Sequence, residues 1–229
     1  MQGKYYIFEA VDGAGKTTVM QRVAIQLLAA GVKLALTKEP GGPAALRDEL
    51  RFPELDVYIA PAYENGQLYR SLCLDKTLDG RVHRAIHRAD VLENWVRVVK
   101  PALDEGYVIL SDRGWPSDIA YGHVFDGLSI DQLYVFNAAL SKDQIDASTV
   151  LFFEVSPDIA EQRLVGSQTN FYDDPARRDL RVRIQGAYKE FFNTWPDIDV
   201  RRVDADLPLQ EVVECVTKMI LSDLSRKTT

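Results

Sequence analysis

Short apolar runs alternate along the chain with longer stretches in which apolar residues recur at three- and four-residue spacing. Runs over 4–11, 32–37, 107–110, 149–155 and 200–203 read as buried strands. Between them, Val19, Val23, Leu27 and Leu28 mark a helix over 16–30 that Gly31 stops. Ile86, Leu92, Trp95, Val96 and Val99 mark the apolar side of a long helix over 82–103. Further helices are expected over 44–51, 62–75, 157–165 and 209–224. Strand and helix in regular alternation predict a three-layer α/β fold around a mainly parallel sheet. No repeat or low-complexity linker interrupts the 229 residues, which read as one domain. Residues 52–80, with Pro53, Pro61 and the Asp79-Gly80 turn, are the least regular stretch and are a candidate insertion.

Composition narrows the class. A hydrophobic content of 46% suffices for a sizeable core, and a net charge of −7 argues against an extended nucleic-acid or membrane surface. Cys73 and Cys215 form no C-x-x-C pair, and His83, His87 and His123 lack zinc-ligand spacing, so reduced thiols and no structural metal are expected. The chain enters a strand at once, without a signal-like segment or a membrane-length apolar run, so a cytoplasmic protein is expected.

The sharpest chemistry lies between the first strand and the first helix, in Phe8-Glu9-Ala10-Val11-Asp12-Gly13-Ala14-Gly15-Lys16-Thr17-Thr18. Strand, glycine turn, Lys-Thr and helix make a phosphate-cradling loop, in which small residues let successive backbone N–H groups converge on an anion at a helix N-terminus. Lys16 can then reach phosphate oxygens, and the Thr17 hydroxyl can ligate Mg²⁺. The usual first glycine of this pattern is Ala10, a modest change unless that residue must adopt a positive φ.

Two other strands end in candidate ligand-binding groups. The second delivers Lys38-Glu39-Pro40-Gly41-Gly42, and the fourth delivers Ser111-Asp112-Arg113, to the carboxyl edge where open α/β sheets bind ligands. Asp112 can support Mg²⁺ and Arg113 is a fork for phosphate oxygens; a structural Asp–Arg pair is the plainer reading. Ser117 or Asp118 can cap the helix that follows. Arg81, Arg84 and Arg88 form a cationic stripe, ordinarily a solvated face unless an anion lies opposite. The polar, turn-rich stretch 166–177 is flanked by Arg163, Arg177, Arg178, Arg181 and Arg183, a composition suited to a lid over phosphates or to a solvated helix start.

Taken together, these segments resemble the thymidylate kinase family of nucleoside monophosphate kinases over about residues 4–220. The residues that carry the likeness are the loop itself, Thr37-Lys38-Glu39-Pro40-Gly41-Gly42, the run from Lys100-Pro101-Ala102-Leu103 through Ser111-Asp112-Arg113 to Ser117 and Ala120-Tyr121, and Arg183-Ile184-Gln185-Gly186-Ala187-Tyr188. The resemblance implies a five-stranded parallel sheet, an arginine-bearing lid over about 163–181, and transfer of the γ-phosphoryl of ATP, with Mg²⁺, to a deoxynucleoside monophosphate. It implies that Gly13, Ala14, Gly15, Lys16, Thr17 and Thr18 hold the donor phosphates, with Thr17 and Asp112 at the metal. Asp12 would lie near the acceptor sugar and phosphate, and Arg113 and Arg51 would hold the acceptor phosphate. Tyr121 would favour a 2′-deoxy sugar. Gly13 stands where one branch of the family carries an arginine, so the catalytic arginine would come from the lid: Arg163, Arg177, Arg178 or Arg181. A homodimer is also implied, with the apolar faces over 86–99 and 124–140 as candidate contacts.

Departures from the family concentrate where the acceptor base is read. The stacking phenylalanine is His87, the base-binding arginine is Val91 with Arg88 one turn earlier, and the residue after Ser117 is Asp118, an acceptor when ionised. Lys38 replaces an arginine and Gly114 a tyrosine. These changes leave thymine, uracil and 5-modified pyrimidines open as bases. Two further readings stand beside this one: a deoxynucleoside kinase using Glu39 as general base, and a nucleotide-binding protein without turnover.

Overall fold

The computed structural model describes residues 3–43, 45, 58–59, 65–75, 77–165 and 177–226. Its strands are β1 (Lys4–Glu9), β2 (Leu34–Lys38), β3 (Tyr58–Ile59), β4 (Val108–Asp112), β5 (Ser148–Glu154) and β6 (Val200–Asp204). They form one sheet in the order β3-β2-β4-β1-β5-β6, with every pairing parallel. The five long strands are those the sequence predicts, and the two-residue β3 extends the edge beside β2. Parallel pairing needs a crossover after each strand, and the helices supplying those crossovers cover the sheet. That is why β1 reads as an unbroken apolar run: Tyr5, Tyr6, Ile7 and Phe8 are all buried.

The helices are α1 (Lys16–Ala29), α2 (Gly66–Leu74), α3 (Gly80–Asn94), α4 (Lys100–Asp104), α5 (Trp115–Asp126), α6 (Ile130–Ala147), α7 (Pro157–Leu164), α8 (Arg178–Thr194) and α9 (Leu209–Ser225). Helix α1 packs against α9, and α5 packs against α3, α6 and α8. Local chemistry starts several of them. Ser129 and Gln132 form a capping box at the head of α6, each side chain meeting the other residue's backbone N–H at 3.2 Å. Asp79 caps α3 by accepting from the Arg81 N–H at 3.0 Å.

Three expectations need correction here. The long helix is not continuous: α3 passes into a π-helical turn, Trp95–Val99, before α4. Of its expected apolar side, Trp95 and Val99 are buried and Leu92 packs on the core, but Val96 is 55% exposed, and the buried face of α3 is His83, Arg84, His87, Arg88, Asp90, Val91 and Asn94. Burial there follows polar partners on α5 and α6 rather than hydrophobicity. Third, neither Ser117 nor Asp118 caps α5: Gly114 is its N-cap residue and the Glu9 carboxylate takes its terminal N–H groups. The expected helix over 44–51, with Arg51, falls outside the described residues except for Ala45, as do 52–57 and 60–64 of the candidate insertion.

Candidate active site

The carboxyl ends of β1, β2 and β4 lie side by side, with Phe8 and Lys38 both in register with Asp112. Beyond β1 the chain turns through Gly13 (φ 87°) and Gly15 (φ 79°) into α1. Both values are left-handed, where glycine carries no Cβ penalty. At Gly13 a second constraint applies: an added Cβ would lie 2.5 Å from the Ala160 carbonyl oxygen. The arginine that part of the family carries at this position has no room in this chain. Ala10 is fully buried and is not among the positive-φ residues, so its methyl group costs the turn little.

Asp112 and Arg113, adjacent in sequence, serve two different places. Asp112 is fully buried and meets Lys16 with one carboxylate oxygen, while the other accepts from the Thr17 hydroxyl at 2.7 Å and from Lys38 at 3.3 Å. Burial, together with the nearby charges of Arg113 and Lys38, pulls the Lys16 ammonium well below its ordinary range; Glu9 and Asp12 oppose this. Arg113 turns the other way. At φ 71° it is the one non-glycine residue with positive φ among those described. Its guanidinium donates to the Asp12 carboxylate and to the Ala10 carbonyl, each at 2.8 Å, and sits 5.1 Å over the Tyr121 ring. The plainer reading of a mutual Asp112–Arg113 pair is therefore not what the chain builds.

Hard oxygen donors meet at Asp112 and Thr17, a carboxylate and a hydroxyl on one side of a helix N-terminus. Such a pair fits Mg²⁺, which prefers few protein ligands and takes water and phosphate oxygens for the rest. Among the described residues no group of three or more His, Cys, Asp or Glu is placed to hold a metal by itself. Thr18, next in the loop, is exposed.

Glu39 is buried and accepts from the Asn94 side chain at 3.0 Å through one oxygen, while its other oxygen is buried without a hydrogen-bond partner. Burial pushes its carboxyl well above the usual range, with Asn94 opposing. Asn94 in turn accepts from Thr37 at 2.9 Å, so the long helix is tied to the end of β2.

At the positions where the resemblance would place the acceptor base, the structure brings some residues together and separates others. The Asp118 carboxylate is fully buried and meets Arg84 at 2.8 Å, His87 at 3.2 Å and Asn137 at 2.8 Å. Burial alone would raise its pKa; the bonds to His87 and Asn137 and the Arg84 charge hold it below the ordinary value instead. Arg84 also pairs with Asp126 at 2.6 Å. Arg88 donates to Asn137 at 2.9 Å and to the Ser141 hydroxyl, and Val91 lies in the apolar core. Of the cationic stripe only Arg81 is solvated, against Asp79; Arg84 and Arg88 are buried partners of α5 and α6.

The arginines of the expected lid divide likewise. Arg163 donates to the Ala14 carbonyl of the loop at 3.3 Å and to the Ala205 carbonyl at 2.9 Å. Arg178 pairs with Asp158 at 2.6 Å and Glu161 at 2.9 Å on α7. Arg181 is buried, Arg177 directly precedes α8, and residues 166–176 lie outside those described.

Glu9 is the residue sequence reasoning passed over. It stands inside the quoted loop motif, but its burial and its partners on α5 and α8 come from chain far away in sequence. An acidic residue inside an otherwise apolar strand was the available signal.

No protein-family model matches the chain. It is similar to the thymidylate kinase of Caldicellulosiruptor saccharolyticus, 29% identical over 227 residues that cover 99% of this chain and 100% of that protein. The thymidylate kinase of Bacillus licheniformis is 28% identical over 225 residues, covering 96% of each chain. That of Oceanobacillus iheyensis is 27% identical over 232 residues, covering 99% of this chain and 93% of its own. End-to-end agreement at this level, on an all-parallel sheet with the phosphate loop after its central strand, leads to one conclusion: over its whole length the chain is similar to proteins named thymidylate kinase.

Proposed function

We propose that this protein transfers the γ-phosphoryl group of ATP to dTMP, giving dTDP, with Mg²⁺ bound at Thr17 and Asp112. The observation that carries the reading is the divergence of two neighbouring residues. Asp112 faces Lys16 and Thr17 at the head of α1, and Arg113 faces Asp12 and Tyr121. One strand end thus serves a donor site and an acceptor site at once, the arrangement an in-line transfer between two phosphates requires. In the donor half, Lys16 and the loop amides take the β- and γ-phosphates, and Lys16 exchanges its contact with Asp112 for them. When bound, Mg²⁺ neutralises phosphate charge. In the acceptor half, Arg113 and Arg51 hold the monophosphate, Asp12 lies beside the sugar, and Tyr121 disfavours a 2′-hydroxyl. Arg163, Arg177, Arg178 and Arg181 are the candidate cations for the transferring group. Full-length likeness to proteins named thymidylate kinase favours a monophosphate acceptor over a nucleoside 5′-hydroxyl.

Thymine is the base the relatives' name supports, while His87 and Asp118 depart from the residue pattern the resemblance rests on. The test is a panel of dTMP, dUMP, 5-hydroxymethyl-dUMP and thymidine with ATP and Mg²⁺, read as kcat/KM. Preference for dTMP is expected; phosphorylation of thymidine but not dTMP would overturn the reading. Val135, Phe136 and Leu140 on α6 are exposed apolar residues that support a homodimer.

A further inference from the structure

Helix α5 lacks a cap of its own. Its N-cap position is Gly114, where an added Cβ would lie 2.9 Å from the buried Ile7 side chain, so no capping side chain fits there. Pro116 has no N–H to satisfy. Glu9, at the end of β1, takes over. One of its carboxylate oxygens accepts from the Gly114 N–H at 2.8 Å and the Ser117 N–H at 3.2 Å. The other accepts from the Ser117 hydroxyl and from the Tyr188 hydroxyl of α8, each at 2.7 Å. The two hydroxyls are themselves 2.8 Å apart. A fully buried carboxylate with this many donors is an expensive group that is well satisfied, and removing it would leave several buried donors unpaired.

What those bonds hold is the turn that aims Arg113. The Arg113 N–H donates to Phe8 at 3.0 Å, and the next N–H along, that of Gly114, donates to Glu9. Arg113 is thus pinned on both sides in a left-handed conformation that residues with a side chain rarely adopt. Released from that conformation, the guanidinium would swing away from Asp12 and Ala10. We infer that Glu9 is a positioning residue for acceptor binding: by capping α5 from the neighbouring strand, it fixes the Arg113 backbone and so the guanidinium that takes the acceptor phosphate. This rests on the proposed role of Arg113.

Calorimetric titration of dTMP into wild type, Glu9→Ala, Glu9→Gln, Arg113→Ala and the Glu9→Ala/Arg113→Ala double variant tests it, with steady-state turnover beside it. Glu9→Ala is expected to weaken dTMP binding about tenfold, the loss of one to two capping bonds, and to leave the KM for ATP within about twofold. Glu9→Gln keeps an oxygen for the two N–H groups and an amide for the two hydroxyls, so it should bind dTMP nearly as wild type does. In the Arg113→Ala background, adding Glu9→Ala should cost nothing further. Additive losses, or equal weakening toward dTMP and ATP, would overturn the inference. If Glu9→Ala does not fold, Tyr188→Phe replaces it, removing one donor to Glu9; it should weaken dTMP binding alone, and only where Arg113 is present, and unchanged dTMP binding would overturn the inference. A wild type that binds dTMP without phosphorylating it would sink the proposed reaction and leave this inference standing.

Discussion

Single residues in this chain act through where their neighbours point them. Asp118 is the clearest case, since its sequence position suggested a reader of the base and its surroundings make it a clamp. Arg84, His87 and Asn137 converge on its carboxylate from α3 and α6. Asp118→Asn keeps the shape but removes one of the two carboxylates paired with the buried Arg84 guanidinium, and should destabilise the fold by about 3 kcal/mol in chemical denaturation at pH 7. The sign of the pH dependence follows from the depressed pKa. A carboxylate held below its unfolded value near 3.9 stabilises at all higher pH and loses that contribution as pH falls through the folded value. The difference between wild type and Asp118→Asn should therefore be constant across neutral pH and shrink only below about pH 4. A gap that closes between pH 6 and 8 would contradict this account. At the other end of the proposed site, Lys16→Ala removes the cation proposed to reach the phosphates and should lower kcat by at least about a hundredfold in protein shown to be folded by circular dichroism.

Among the elements, the strands were legible and the long helix was not. Parallel strands buried on both faces announce themselves as apolar runs, and the five long ones stand where those runs predict. The phosphate loop was equally plain, because its glycines and Lys-Thr are local requirements. Helix α3 misled because a periodicity search looks for apolar residues, whereas its buried face is His83, His87, Asp90, Val91 and Asn94. His87, Arg88, Asp90 and Asn94 are buried because Asp118, Asn137, Gly41 and Glu39 wait for them, and none of those partners is close in sequence. Glu9 was hidden for the same reason. The π turn over Trp95–Val99 has a function in this light: an extra residue per turn rotates the helix by about 100°, and the burial face changes from polar to Trp95, Val98 and Val99. Deleting Val96 should restore a plain helix, put the two faces out of phase, and abolish cooperative thermal unfolding.

For the whole molecule, the exposed face of α6 and the stitching of the two chain ends matter most. Val135 and Leu140 are 60% and 47% exposed, and Leu140→Asp should turn the proposed dimer into a monomer by sedimentation velocity. The stitching is of another kind. The Tyr6 hydroxyl of β1 donates to Asp223 at 3.0 Å across 217 residues of sequence, α9 packs on α1, and Arg163 links the loop carbonyl of Ala14 to that of Ala205. Strand β1 also lies between β4 and β5, so its partners are made long after it. The phosphate loop takes its bracing from chain 95 to 149 residues further on, from Asp112 and Arg113 first and from Arg163 after them. Contacts this distant in sequence slow folding and leave a hydrophobic first strand waiting for company. The loop therefore takes its shape only after strands and helices distant in sequence have docked around it.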